Sequence, residues 1–141
     1  MFAKSPVLSK CTSCRDGREA VDGLRGGIRF GQSVVSQLEV RAATELTLCG
    51  VQFMSQCKGP SIAFLSGYNH FFSYLFEDID PENTEQLFAL FDLVARFRIA
   101  PEGFLRGHDR PEAMRSNILG RLPPLRTNSS LVTPLGNLSA G

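Results

Sequence analysis

Apolar positions in the central part of the chain recur at steps of three and four residues, the spacing of one face of an α-helix. The first stripe, within residues 33–57, consists of Val35, Leu38, Ala42, Leu46, Cys49, Phe53 and Cys57. Similar stripes, rich in Phe and Leu, occur in residues 60–78 and 81–98. The pattern predicts three amphipathic helices with these bounds.

Helix-breaking residues separate the three predicted helices. Gly59 and Pro60 lie between the first and the second, since glycine tolerates the turn after a helix and proline suits the first position of the next. Asp80-Pro81-Glu82 has the cap, proline and acidic residue that are typical of a helix start. Because both connections are short, neighbouring helices must be antiparallel.

The sequence therefore predicts an all-α fold, a small antiparallel bundle of three main helices. Short flanking helices are expected near residues 17–25 and 110–120, and both termini are expected to be flexible. The predicted domain organisation is a flexible N-terminal arm (1–15), a helical domain (16–122) and a disordered C-terminal tail (123–141).

Charge is distributed unevenly along the 141 residues, although the net charge is only +1. Residues 1–30 contain six basic and three acidic side chains. Residues 31–95 contain two basic and eight acidic side chains, and residues 96–141 contain seven basic and three acidic side chains. The basic ends could bind an anionic partner, or they could fold back onto the acidic segment 77–85. The sequence leaves both interpretations open.

Arginine is the main basic residue near the C-terminus, and guanidinium groups suit bidentate binding of phosphate or carboxylate. The candidate partner-binding residues are Arg106, Arg110, Arg115 and Arg121, which recur at steps of four to six. We expect a protein partner or self-association. Nucleic acid is a less favoured partner, because an isoelectric point of about 7.7 is far below that of typical nucleic-acid-binding domains.

Cys11-Thr-Ser-Cys14 has the spacing of a zinc-binding or redox pair, and these two cysteines are the candidate metal ligands. A complete zinc site requires two further ligands. Cys49 and Cys57 lie on the first predicted helix, about 12 Å apart along its axis, and are therefore assigned to the core. Zinc binding, redox activity and two ordinary thiols all remain open for Cys11 and Cys14.

Other catalytic patterns are missing from the sequence. It has no Gly-Lys-Ser/Thr phosphate loop. His70 lies on the polar face of its predicted helix, two turns from Glu77, and His108-Asp109 fits a loop that ends in a helix cap better than an acid–base pair. We therefore expect a protein that is not an enzyme and has no cofactor. No apolar run is long enough to span a membrane, and four cysteines without a secretory signal favour a cytoplasmic location.

Residues 45–78 resemble phasins, the helical proteins that coat bacterial polyester storage granules. The resemblance consists of the run Glu45-Leu-Thr-Leu-Cys-Gly-Val-Gln-Phe-Met-Ser-Gln-Cys-Lys-Gly-Pro60 and the aromatic segment Phe64 to Glu77. It implies a long helix, a short break and a second amphipathic helix, in a protein that coats a surface. The segment is richer in Cys and Phe than phasins typically are.

Together these features predict a non-enzymatic interaction or assembly protein that binds a partner through helix faces and basic ends. One alternative is a small regulatory protein that uses Cys11 and Cys14 for zinc or redox chemistry. Another is a phasin-like protein of a granule surface.

Overall fold

A five-stranded mixed β-sheet forms the centre of the molecule. The computed structural model describes residues 5–11, 28, 31–36, 46–51, 62–67, 72–80, 82–124 and 129–137. The strands are β1 (Val7–Cys11), β2 (Thr47–Val51), β3 (Ala63–Ser66), β4 (Ser73–Phe76) and β5 (Ile118–Leu122). Their spatial order is β2-β1-β3-β4-β5. β1 and β2 are parallel, and the other neighbours are antiparallel.

One long helix, Thr84–Ile99, follows β4 and precedes β5 in the chain. Its N-cap is Asn83, whose side chain accepts a hydrogen bond from the Gln86 amide at 3.2 Å. The helix has acid in its first turn and arginine in its last, as the helix dipole favours. The predicted helix 81–98 is thus confirmed, with its start shifted to Thr84.

The main core lies between the long helix and one face of the sheet. Leu8, Leu65, Tyr74 and Phe76 of the sheet are fully buried in a cluster with the apolar side of the helix. The helix contributes Leu87, Leu90, Phe91, Leu93, Val94 and Phe97 to this cluster. A smaller cluster of Cys11, Ile62 and Leu75 is separate from it.

The predicted all-α bundle is wrong, and the fold is α/β. Residues 31–36 are helical, but the rest of the first predicted helix, 33–57, includes β2 at Thr47–Val51. The predicted helix 60–78 contains β3 and β4, which pair with Ala63 opposite Phe76. Both strands are short, mostly apolar runs, and such runs fit the period of a strand as well as that of a helix.

The C-terminal prediction also needs correction. Residues 110–120 were expected to form a helix, but the chain has a 3₁₀ segment, Glu112–Asn117, followed directly by β5. Two further 3₁₀ turns, Pro101–Gly103 and Gly107–Asp109, occupy the connection after the long helix. β1 lies within the predicted flexible arm 1–15, and the predicted helix 17–25 lies outside the described residues.

Candidate functional site

Two cysteines lie on the same face of the parallel pair β1 and β2. Cys11 is the last residue of β1 and is 1% exposed, whereas Cys49 in β2 is exposed. In the register, Ser9 is opposite Cys49 and Cys11 is opposite Val51. Because side chains alternate between the faces of a sheet, Ser9 and Cys11 share a face, and Cys49 shares it with them.

The register fixes the separation of these two cysteines. They lie on adjacent strands about 4.8 Å apart and are offset by two residues, or about 6.6 Å, so their Cα atoms are about 8 Å apart. A disulfide requires Cα atoms within about 7 Å. A metal ion with sulfur ligands at about 2.3 Å lies roughly 5 Å from each Cα, so it can bridge the pair.

The position of Cys49 overturns its assignment to the core of a long helix. Of the other two cysteines, Cys14 and Cys57 lie outside the described residues. Cys14 follows Cys11 by three residues, so the covalent chain keeps their Cα atoms within about 11 Å. Cys57 lies in sequence between Val51, which is opposite Cys11 in the sheet, and Ile62, whose carbonyl accepts a hydrogen bond from the Cys11 amide.

Lys10 places a buried amino group at the end of the sheet where Cys11 lies, on the opposite face from the Cys11 side chain. It is 2% exposed, and its Nζ donates a hydrogen bond to the Ile62 carbonyl at 2.7 Å. The same carbonyl accepts from the Cys11 amide at 3.1 Å, so Nζ lies within about 6 Å of the Cys11 nitrogen. Sequence reasoning missed Lys10, although a lysine inside the run Val-Leu-Ser-Lys-Cys is itself a signal.

Within the described ranges, no three His, Cys, Asp or Glu side chains are grouped closely enough to bind a metal ion. A four-ligand site that includes Cys11 and Cys49 therefore needs two further ligands, and the two remaining cysteines of the sequence are Cys14 and Cys57. The predicted pair Cys11 and Cys14 is thus one part of a larger candidate set that contains all four cysteines.

A second candidate site contains two of the predicted arginines. Arg110 Nε and Arg121 Nη1 both donate hydrogen bonds to the carbonyl of Leu105, at 3.2 and 3.1 Å. The Arg110 guanidinium lies 5.5 Å from the centre of the Tyr74 ring, and that of Arg121 lies 3.8 Å from the centre of the Phe104 ring. The fold thereby brings together arginines that are eleven residues apart in sequence.

Tyr74 positions this arginine pair. It is fully buried in β4 opposite Arg121, and its hydroxyl oxygen accepts a hydrogen bond from the Leu105 amide at 2.7 Å. Phe104 is also held, because its ring packs edge-on against Phe72 at 5.2 Å. The segment that carries Leu105 is therefore fixed to the sheet by hydrogen bonds of Leu105 with Tyr74 and Arg121 and by the contact of Phe104 with Phe72.

The other two predicted arginines lie nearby but are not part of the pair. Arg115 Nε donates to the Arg110 carbonyl at 3.2 Å, and its side chain is exposed. Arg106 is exposed and lines a groove of about 300 Å³ at the end of the long helix. Apolar side chains of this groove include Ile99, Pro101 and Phe104, and its charged side chains are Arg96, Arg106 and Asp109.

These features define an α/β protein with a thiol-bearing sheet end and a separate arginine pair next to a groove. Residues 8–124 match the family described as a protein of unknown function, DUF1636, and the chain belongs to that family. No curated protein and no solved structure matches the chain. None of the described helices is long and apolar enough to cross a membrane.

Proposed function

We propose that the protein is a small metal-binding protein in which cysteine thiolates hold the metal centre. The proposed ligands are Cys11, Cys14 and Cys49, with Cys57 as the fourth. The observation that carries the proposal is the register of β1 and β2, which puts Cys49 on the face of Cys11, two residues away. Four thiolates suit a structural zinc ion or an iron–sulfur cluster.

Lys10 supports the proposal on electrostatic grounds. Thiolates, and not thiols, bind metals, and a nearby cation favours the thiolate form. The Lys10 amino group at the Ile62 carbonyl supplies such a cation near the Cys11 backbone, from the opposite face of the sheet. Four thiolates around a divalent ion carry a net charge of about −2, which a neighbouring positive charge partly offsets.

The proposed role is binding and not catalysis, in keeping with the expectation from the sequence. The predicted binding of a partner through helix faces is not part of this proposal, because the apolar side of the long helix packs on the sheet. The segment that resembles phasins contains β2, β3 and β4 where the resemblance implies two helices. A cytoplasmic location remains a prediction, and it agrees with the need of thiolate ligands for a reducing compartment.

Metal analysis of the purified full-length chain tests the proposal. The protein is expressed in iron- and zinc-supplemented medium and purified without oxygen, and bound metals are measured by elemental analysis and visible absorption. We expect about one zinc ion per chain, or a cluster with thiolate-to-iron absorption bands. Cys11→Ser and Cys49→Ser should each lose most of the metal.

Thr47→Val is the matched control, because Thr47 lies in the same strand as Cys49 and carries no thiol. It should keep the metal content of the parent protein. Retention of a full metal content in Cys49→Ser would refute the proposed geometry. A parent protein that stays free of metal, both as purified and after reconstitution with zinc or with iron and sulfide, would refute the function.

A further inference from the structure

We infer that Arg110 and Arg121 form a binding site for the oxyanion of a small organic ligand, whose apolar part lies in the adjacent groove. The ligand class is a phosphate or carboxylate attached to an aromatic or aliphatic body. The inference concerns a site separate from the cysteines, so it does not depend on the proposed metal centre.

Two positive charges converge at a single neutral acceptor in this site. The donating nitrogens of Arg110 and Arg121 are both within 3.2 Å of the Leu105 carbonyl oxygen, so they lie within about 6 Å of each other. Among the described residues, neither guanidinium forms an ion pair with a carboxylate. An oxyanion between them would relieve their mutual repulsion.

Most of the donors on both side chains remain available. A guanidinium group has five N–H donors, and in the described part of the chain Arg110 and Arg121 each donate one to Leu105. The remaining N–H groups have the planar, forked arrangement that matches the oxygens of a phosphate or carboxylate. Two such groups at one place can bind two edges of the same anion.

The two arginines are also held in place before any ligand arrives. Arg110 is half-buried over the Tyr74 ring, and Arg121 lies over Phe104. Tyr74 and Phe104 are in turn fixed by the Leu105 amide and by Phe72. Because the side chains are ordered by stacking, binding an anion costs little additional conformational entropy.

The groove explains why an organic anion fits better than a bare inorganic one. Two residues of the arginine site also line the groove of about 300 Å³. One is Phe104, whose ring lies against the Arg121 guanidinium, and the other is Leu105, whose carbonyl accepts a hydrogen bond from each arginine. That volume is at the lower end of the range for small-molecule sites. Its apolar wall, with Ile99 and Pro101, suits a hydrocarbon body. Its charged side chains are two arginines and one aspartate, so their net charge is positive.

Titration of the full-length protein with four probes tests the inference. The probes are phenyl phosphate, benzoate, inorganic phosphate and phenol, followed by calorimetry or protein NMR at low ionic strength. We expect at least one of the two organic anions to bind about tenfold more tightly than both inorganic phosphate and phenol, a difference of about 1.4 kcal/mol. Which of phenyl phosphate and benzoate binds more tightly distinguishes a phosphate site from a carboxylate site.

Charge-matched variants separate a specific site from general attraction. Arg121→Gln and Arg110→Gln should each weaken binding of the better probe by about tenfold or more. Arg98→Gln removes the same charge from an exposed position on the long helix. Arg98 is about 200° around the helix from Arg96, which lines the groove, so this variant should leave binding unchanged. Arg121→Lys keeps the charge but loses the fork, and it should bind nearly as poorly as Arg121→Gln.

Three results would overturn the inference. One is the absence of binding of either organic anion to the parent protein. Another is an equal loss of affinity in Arg98→Gln and Arg121→Gln. The third is that inorganic phosphate binds as tightly as phenyl phosphate and benzoate, which would show that the groove does not contribute to binding. Circular dichroism of every variant, compared with that of the parent, shows that the fold is retained.

Discussion

The hydroxyl group of Tyr74 offers a direct test of how the segment around Leu105 is held. Tyr74→Phe removes one oxygen atom and leaves the ring in place, 6.0 Å from Phe97 and beneath Arg110. The Leu105 amide, which donates to that oxygen at 2.7 Å, then loses its acceptor. Because Leu105 is 1% exposed, water cannot easily replace the missing group.

The magnitude follows from the cost of a buried donor without a partner. Such a group lowers the free energy of unfolding by about 1–3 kcal/mol. For a chain of 141 residues, 1 kcal/mol corresponds to a change in melting temperature of about 3–5 °C. We therefore expect Tyr74→Phe to melt about 3–15 °C below the parent protein.

Urea unfolding measures the change in the free energy of unfolding. It is followed by circular dichroism at 222 nm, because the chain has no tryptophan for fluorescence. Ser130→Ala is the control, because it also removes a hydroxyl group that forms a hydrogen bond, to Glu102 at 3.3 Å, but at an exposed position. It should change stability by less than about 0.5 kcal/mol. A loss in Tyr74→Phe no larger than that of the control would refute the reasoning.

Two further substitutions test the packing around the sheet. Asn117 is buried and donates through Nδ2 to the carbonyls of Glu77 and Asp78, at 3.0 and 3.1 Å. Asn117→Asp replaces that donor with an acceptor, so urea unfolding should show a loss of about 2–4 kcal/mol, and an unchanged midpoint would contradict these contacts. Thr47 has a buried Oγ1 without a hydrogen-bond partner in the described structure. Thr47→Val should therefore raise the free energy of unfolding by about 0.5–2 kcal/mol, and a lower melting temperature in calorimetry would show that the hydroxyl group is satisfied.

The long helix could be predicted because its signals are local. Its apolar side chains repeat at helical spacing over four turns, and acidic and basic residues lie at the ends that the helix dipole favours. The predicted cap was Asp80, but Asn83 is the N-cap, and Asp80 instead accepts a hydrogen bond from the Glu82 amide at 2.9 Å. Several capping residues close together allow an error of one turn.

The sheet could not be predicted in the same way, because its signals are not local. β3 and β4 have only four residues each, too few to separate a period of two from one of 3.6. β1 pairs with strands that lie some 40 and 55 residues further along the chain. No spacing within β1 itself indicates these partners. The sequence pattern therefore predicts a flexible arm for residues that form a strand.

The candidate sites were predicted only as residue types. The spacing of Cys11 and Cys14 indicated a metal or redox pair, but the contribution of Cys49 depends on the parallel register with Ser9. Likewise, the repeated arginines indicated an anionic partner, but the pairing of Arg110 with Arg121 depends on the antiparallel register of β4 and β5. In both cases strand pairing brings the residues together, and the sequence pattern does not indicate that pairing.

The position of β1 between β2 and β3 has a consequence for the newly made chain. Its two neighbours, β2 and β3, are complete only when Ser66 has been synthesised, 55 residues after Cys11. At about 5–20 residues per second, ribosomal synthesis of those residues takes roughly 3–11 s. Throughout that interval the thiol that ends up almost fully buried is open to oxidation, so a reducing environment during translation protects the site before the fold can.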